Sequence, residues 1–246
     1  MKLQERELAL KGQKITADVL NGRLYPVYCC ASLLLLIASL AVLLPLLNVP
    51  SAAAVYVLVI LQALPYMILP ALLLVFRKKQ TSGMARFLSA FLKILFFQGI
   101  ALLAFTVFGL LFIYGARFAL SLTRGTAVDP PSQIGPDFLF QVLYVACGTL
   151  LYGKLTAVFR DIALFFEKSI PGRNSAKKAV LPAFILIICC AAQTVATAFV
   201  SGGIAWLPSL GSALNAVLLW YILRGYADAL DKSVFGTGPR DNAAAS

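Results

Sequence analysis

The chain has 246 residues, 61% of them hydrophobic and 13% charged, with a mean hydropathy of +0.88 and a formal net charge of +11. Soluble globular chains carry about 25% charged residues, so most side chains here have lipid or one another as solvent. That excludes a soluble multidomain protein. The basic residues sit in short connections without interleaved aromatics, which excludes a nucleic-acid interface and points to the positive-inside bias of membrane proteins.

Residues 1–25 are polar and of mixed charge. Leu8, Ile15, Val19 and Leu20 allow one apolar face of an interfacial helix, while Gly12 and Gly22 weigh against a long one. The next run is too long for the ~7–15 apolar residues of a signal peptide, so it is expected to be a membrane span.

Six continuous apolar segments follow, at 27–47, 52–76, 94–114, 138–158, 179–200 and 204–223. A helix needs about 20 residues to cross the ~30 Å hydrocarbon core. Backbone groups in lipid must be satisfied within the segment, which favours helices, and the runs lack the alternation of a β-barrel. The expected fold is therefore all-α: a polytopic integral membrane protein with a bundle of six transmembrane helices. Residues 1–25 form a cytoplasmic N-terminal segment, 26–224 the membrane domain and 225–246 a cytoplasmic tail.

Charge fixes the expected orientation. Segment 1–25 holds five Lys or Arg, and so does 77–93. Lys154, the bases from Arg160 to Lys178, and Arg224, Lys232 and Arg240 lie on the same side. Only Arg117 and Arg124 lie on the other. This places both termini in the cytoplasm of a multi-pass cell-membrane protein.

Outer connections 48–51 and 201–203 are short, so the helices they join should be antiparallel neighbours. The outer connection 115–137 carries Asp129-Pro130-Pro131 and Pro136 and reads as a loop. The inner stretches 85–93 and 159–168 are partly amphipathic. They read either as helix ends extended past the membrane or as docking helices for a partner, with Arg86, Arg160 and Asp161 as candidate docking residues.

Several chemistries are missing. The chain has no histidine, which removes imidazole acid–base catalysis and imidazole metal or haem ligation. No carboxylate lies in the six segments, and no Walker loop is present. An enzyme is not expected, nor a cofactor or a metal. The five cysteines all fall in apolar segments and read as small packing residues.

The polar positions inside the segments are few. Gln62, Gln193 and Asn215 are candidates for a polar cavity or for interhelical hydrogen bonds; Gln98 and Gln141 lie nearer span ends. Pro65 and Pro70 mark a candidate helix break beside Gln62. Lys93 and Lys154, at the inner span ends, are candidate lipid-headgroup contacts. The expected function is a permease-like or transport-associated subunit acting with a partner such as an ATPase. The alternative is a non-catalytic scaffold, immunity or regulatory protein acting by binding.

Overall fold

The structure is a computed structural model that describes residues 2–42, 53–124, 136–201 and 207–236. Within these, the side chains at 2, 39–42, 53–62, 113–114, 117–124, 136–141 and 200–201 are outside the description. The expected connections 48–51 and 201–203, residues 125–135 and the end of the tail thus lie largely outside the described residues, while residues 115–124, expected as loop, are helical.

The described residues form seven α-helices and no strand. They are α1 (Lys2–Asn21), α2 (Leu24–Val42), α3 (Ala53–Lys78), α4 (Ser82–Arg124), α5 (Pro136–Phe166), α6 (Ser175–Ser201) and α7 (Leu207–Leu230), followed by a π-turn, Asp231–Phe235. Three stretches are long and apolar enough to cross a membrane: Ser82–Phe112, Val142–Phe166 and Ser175–Phe199. The bent pair Leu3–Asn21 and Leu24–Ala38, angled by 53°, would add a fourth if it counts as one span. These helices mark the chain as an all-α membrane protein with three or four candidate spans among the described residues.

Neighbours in sequence are neighbours in space, and α7 closes the ring onto α2. Side-chain contacts show which pairs run antiparallel. Ser89 Oγ of α4 donates to the Thr156 carbonyl of α5 at 2.8 Å, and a Cβ at Gly153 would sit 3.0 Å from the Phe96 ring. On α5 and α6, Asp161 meets Ser175 while Cys147 Sγ lies 3.7 Å from Cys189 Sγ. On α2 and α7, Ser32 meets Asn215 and Leu35 packs on Gly211. In each pair the numbers rise on one helix as they fall on the other.

This packing gathers the basic positions of the described helices at one end, apart from Arg117 and Arg124 on α4. The longest helix exceeds the thickness of a bilayer. With 43 residues at 1.5 Å each, α4 is about 65 Å long, twice the ~30 Å hydrocarbon thickness.

The amphipathic stretches 85–93 and 159–168 are accordingly not separate helices. The first is the start of α4, and most of the second is the end of α5. Thr81 caps α4, its Oγ1 accepting from Met84 N at 3.3 Å. α5 ends in a Schellman motif: Lys168 has φ 59°, its N–H donates to Phe165 O, and Ser169 N–H donates to Leu164 O. The helix therefore stops before Pro171 acts.

Two other expectations need correction, and the tail gains detail. The N-terminal segment is one continuous helix through Gly12, because a Phe165 ring edge occupies the space where a Cβ at 12 would stand, 2.6 Å away. Tertiary packing there offsets glycine's poor helix propensity. Pro65 and Pro70 do not break α3, which runs through both to Lys78. They remove the donors that the Leu61 and Tyr66 carbonyls would use, without ending the helix. The tail from 225 begins as helix: α7 continues to Leu230 and the π-turn carries the chain to Phe235, where Val234 is buried against the bundle.

Candidate functional site

A seam of tyrosines joins α2, α3 and α5. Tyr28 on α2, Tyr66 on α3, and Tyr144 and Tyr152 on α5 lie near one another. The Tyr66 and Tyr152 rings are 5.8 Å apart and tilted by 43°. Tyr144 also lies near Cys190 of α6, and 38% of its surface is accessible.

At the α7 wall, Asn215 Nδ2 donates to Ser32 Oγ at 2.7 Å. Ser32 Oγ in turn donates to the Tyr28 carbonyl at 2.9 Å. The amide oxygen of Asn215 is buried and has no partner among the described residues. An unsatisfied buried acceptor costs roughly 1–3 kcal/mol, so this oxygen favours a donor arriving from water or a ligand.

The charged end is a different kind of site. Asp161, 7% exposed, accepts from Ser175 N at 3.1 Å and so sits on the N-terminus of α6, where the helix dipole favours a carboxylate. Asn174 Oδ1 accepts from Lys177 N at 3.4 Å, and its Nδ2 donates to the Ala227 carbonyl of α7 at 2.9 Å. Thr16 of α1 shares a 2.9 Å hydrogen bond with Tyr226 Oη. Lys177 pairs with Asp231 at 2.9 Å, and this hydrogen bond holds the Asp231 carboxyl below the usual carboxylate range. Together these contacts lock α1, α5, α6, α7 and the π-turn. The shallow depression among Asp161, Asn174, Tyr226 and Phe235 has no room for a water molecule.

The sequence-derived candidates separate accordingly. Asn215 reaches the seam, but its hydrogen bond goes to α2. Gln193 is half-buried on α6, and its carbonyl accepts from Thr197 Oγ1 at 2.8 Å. Gln62 lies on α3 with its side chain outside the described residues, as does the side chain of Gln141. Gln98 is half-buried on α4. Pro65 and Pro70 flank Tyr66 within α3. Of the docking candidates, Arg86 is engaged with Glu167 at 2.7 Å, Arg160 is exposed, and Asp161 is buried as a helix cap. Lys93 and Lys154 are exposed, with Lys93 Nζ 5.9 Å from the centroid of the Phe97 ring.

Sequence reasoning passed over the four tyrosines. Their signal was faint: a phenol inside an apolar span reads as a core aromatic unless its hydroxyl is known to meet others. Among the described residues, no three His, Cys, Asp or Glu side chains cluster as a metal site, and all five thiols are free.

No family model, curated protein or solved structure matches this chain, so what it does must be argued from the seam and the two ends of its bundle.

Proposed function

We propose that the chain is a six-span membrane protein with both ends in the cytoplasm, serving as the permease-like part of a transport system that works with a partner protein. The observation that carries this reading is the Asn215 amide oxygen, buried between α7 and α2 without a partner among the described residues. Polar groups inside a membrane bundle are costly unless they hydrogen-bond, and a solute carrying a donor would satisfy this one. The count of six is supported by α2 and α7 meeting antiparallel, as the first and last of an even number of crossings must. Basic positions at one end support the cytoplasmic assignment of that end. Without energy-coupling chemistry of its own, such a permease takes a partner such as an ATPase, and the overrunning ends of α4 and α5 are where that partner would reach it. No catalytic step belongs to this reading.

The test is water access to the seam. In Tyr144→Cys, a charged, membrane-impermeant thiosulfonate applied to inside-out and right-side-out vesicles modifies residue 144, read from the mass of the labelled peptide. The rate is expected to exceed that at Phe112→Cys, a lipid-facing control, at least tenfold (about 1.4 kcal/mol in access). Equal, slow labelling at both positions would mean a dry interior and sink the transport reading. The second reading, a binding or regulatory protein, would then stand. The locked charged end favours it, because that end presents a fixed surface independent of any crevice.

A further inference from the structure

We propose that α4, α5 and α6 together carry a binding site for an anionic phospholipid headgroup, formed by Lys93, Lys154 and Lys178. The inference rests on the chain standing in a bilayer and does not depend on transport.

Register places the three lysines at nearly one height. The Ser89–Thr156 and Phe96–Gly153 contacts set Lys93 level with Lys154 and its neighbour on α5. The Asp161–Ser175 and Cys147–Cys189 contacts set Lys154 level with Pro182 on α6. Lys178 is one helical turn, about 5.4 Å, closer to the charged end. All three are exposed.

Among the described residues, no carboxylate pairs with them. The ion pairs of the described residues use Arg86, Lys177 and Arg224, and none involves these lysines. The basic residues of α1, by contrast, alternate with Glu5, Glu7 and Asp18. Charge left uncompensated at this position calls for an anion from outside.

The surface beside the lysines says what carries that anion. Toward the far end, the same three helices expose Phe97 and Ile100, Leu143 and Leu150, and Leu181 and Ile185. Lys93 lies over the Phe97 ring, an aromatic at the boundary between apolar and polar surface. Arg224 stands 5.1 Å from the Trp220 ring of α7 and marks a similar boundary. An anionic head among the lysines, with acyl chains along the apolar faces, satisfies both halves of this surface. A soluble acidic protein would leave the apolar half unmatched.

The experiment uses the full chain in a mild nonionic detergent. Phosphatidylglycerol and phosphatidylcholine of equal chain length are titrated in, and bound lipid is read by native mass spectrometry. Phosphatidylglycerol is expected to bind at least about tenfold tighter, since each lysine near an anionic surface adds several-fold. K93Q/K154Q/K178Q brings that preference below about twofold, K93R/K154R/K178R keeps it, and R6Q/K11Q/K14Q on α1 leaves it unchanged. Should the glutamine variant not accumulate, the wild-type preference and the arginine variant carry the test. Equal binding of the two lipids, or equal loss in the α1 variant, overturns the site. Displacement of phosphatidylglycerol by inorganic phosphate at constant ionic strength assigns the lysines to a free anion and overturns the lipid.

Discussion

At the charged end Phe165 is fully buried against Gly12, while at the far end Phe112 leaves 77% of its surface exposed. The same side chain serves two solvents. Where the helices leave the membrane, α1, the start of α6 and the π-turn supply protein to cover apolar surface, and most of the core lies there: Phe76, Leu88, Leu92, Leu95 and Phe165 are all essentially inaccessible. Toward the far end, the outward faces of α4 and α6 stay bare in Phe105, Phe108 and Phe199, as lipid-facing helices do. In water, packing is driven by the hydrophobic effect; in lipid it is not, so close contact there is limited to small residues and polar pairs. Tight packing in this chain therefore goes with its charged end.

The largest expected break in this comparison is a pair of truncations. Phe165→Ala should cost about 3–5 kcal/mol, the usual range for a fully buried phenylalanine, and Phe112→Ala under about 0.5 kcal/mol. Thermal unfolding of the purified protein in detergent measures both. Similar losses would mean that the two ends do not differ in the way described.

Next in size is the cap on α6. Asp161→Ala strips a buried carboxylate from the helix N-terminus and should lower stability by about 1–2 kcal/mol. Amide exchange at residues 175–178 should quicken, with no change at residues 142–150. Uniform exchange through α5 and α6 would show that the cap does not act locally.

Lys168→Gly tests the end of α5 from the other direction. The left-handed backbone at 168 strains any residue with a Cβ, so glycine should raise stability by about 1 kcal/mol. An unchanged or lower midpoint would argue against the Schellman geometry.

Asn215→Leu is expected to change stability by only about 0.6 kcal/mol, the typical worth of one hydrogen bond between membrane helices. Under the transport reading it nevertheless abolishes solute movement in reconstituted vesicles. Loss of stability in step with activity would reduce Asn215 to a structural link.

The smallest effect concerns pH. The Lys177 contact depresses the Asp231 pKa, so its contribution is present above the unfolded carboxylate value and fades as pH falls through the lower folded one. Asp231→Asn should flatten that part of the acid limb slightly. Exposure and screening keep the effect small. An acid limb unchanged in the variant would show that Asp231 does not contribute.

Sequence alone determined the class of molecule. A chain this apolar, with runs of about 20 residues and its bases bunched in alternate connections, leaves helices in lipid as the arrangement that satisfies its backbone. It also named Lys93, Lys154 and Asn215, because a charge or an amide is conspicuous in such an alphabet. Periodicity could not tell a separate amphipathic helix at 85–93 from the start of a 43-residue one, since both bury Ala85, Leu88 and Leu92 on one stripe. Glycine propensity misjudged α1, because Gly12 is where Phe165 approaches, and that contact lies far away in sequence. Only the tertiary structure set Lys178 within about one turn of the height of Lys154, turned Asp161 from a surface charge into a helix cap, and drew four tyrosines into one seam. Each depends on helix register, which is fixed by contacts between residues distant in the chain and leaves no trace in local pattern.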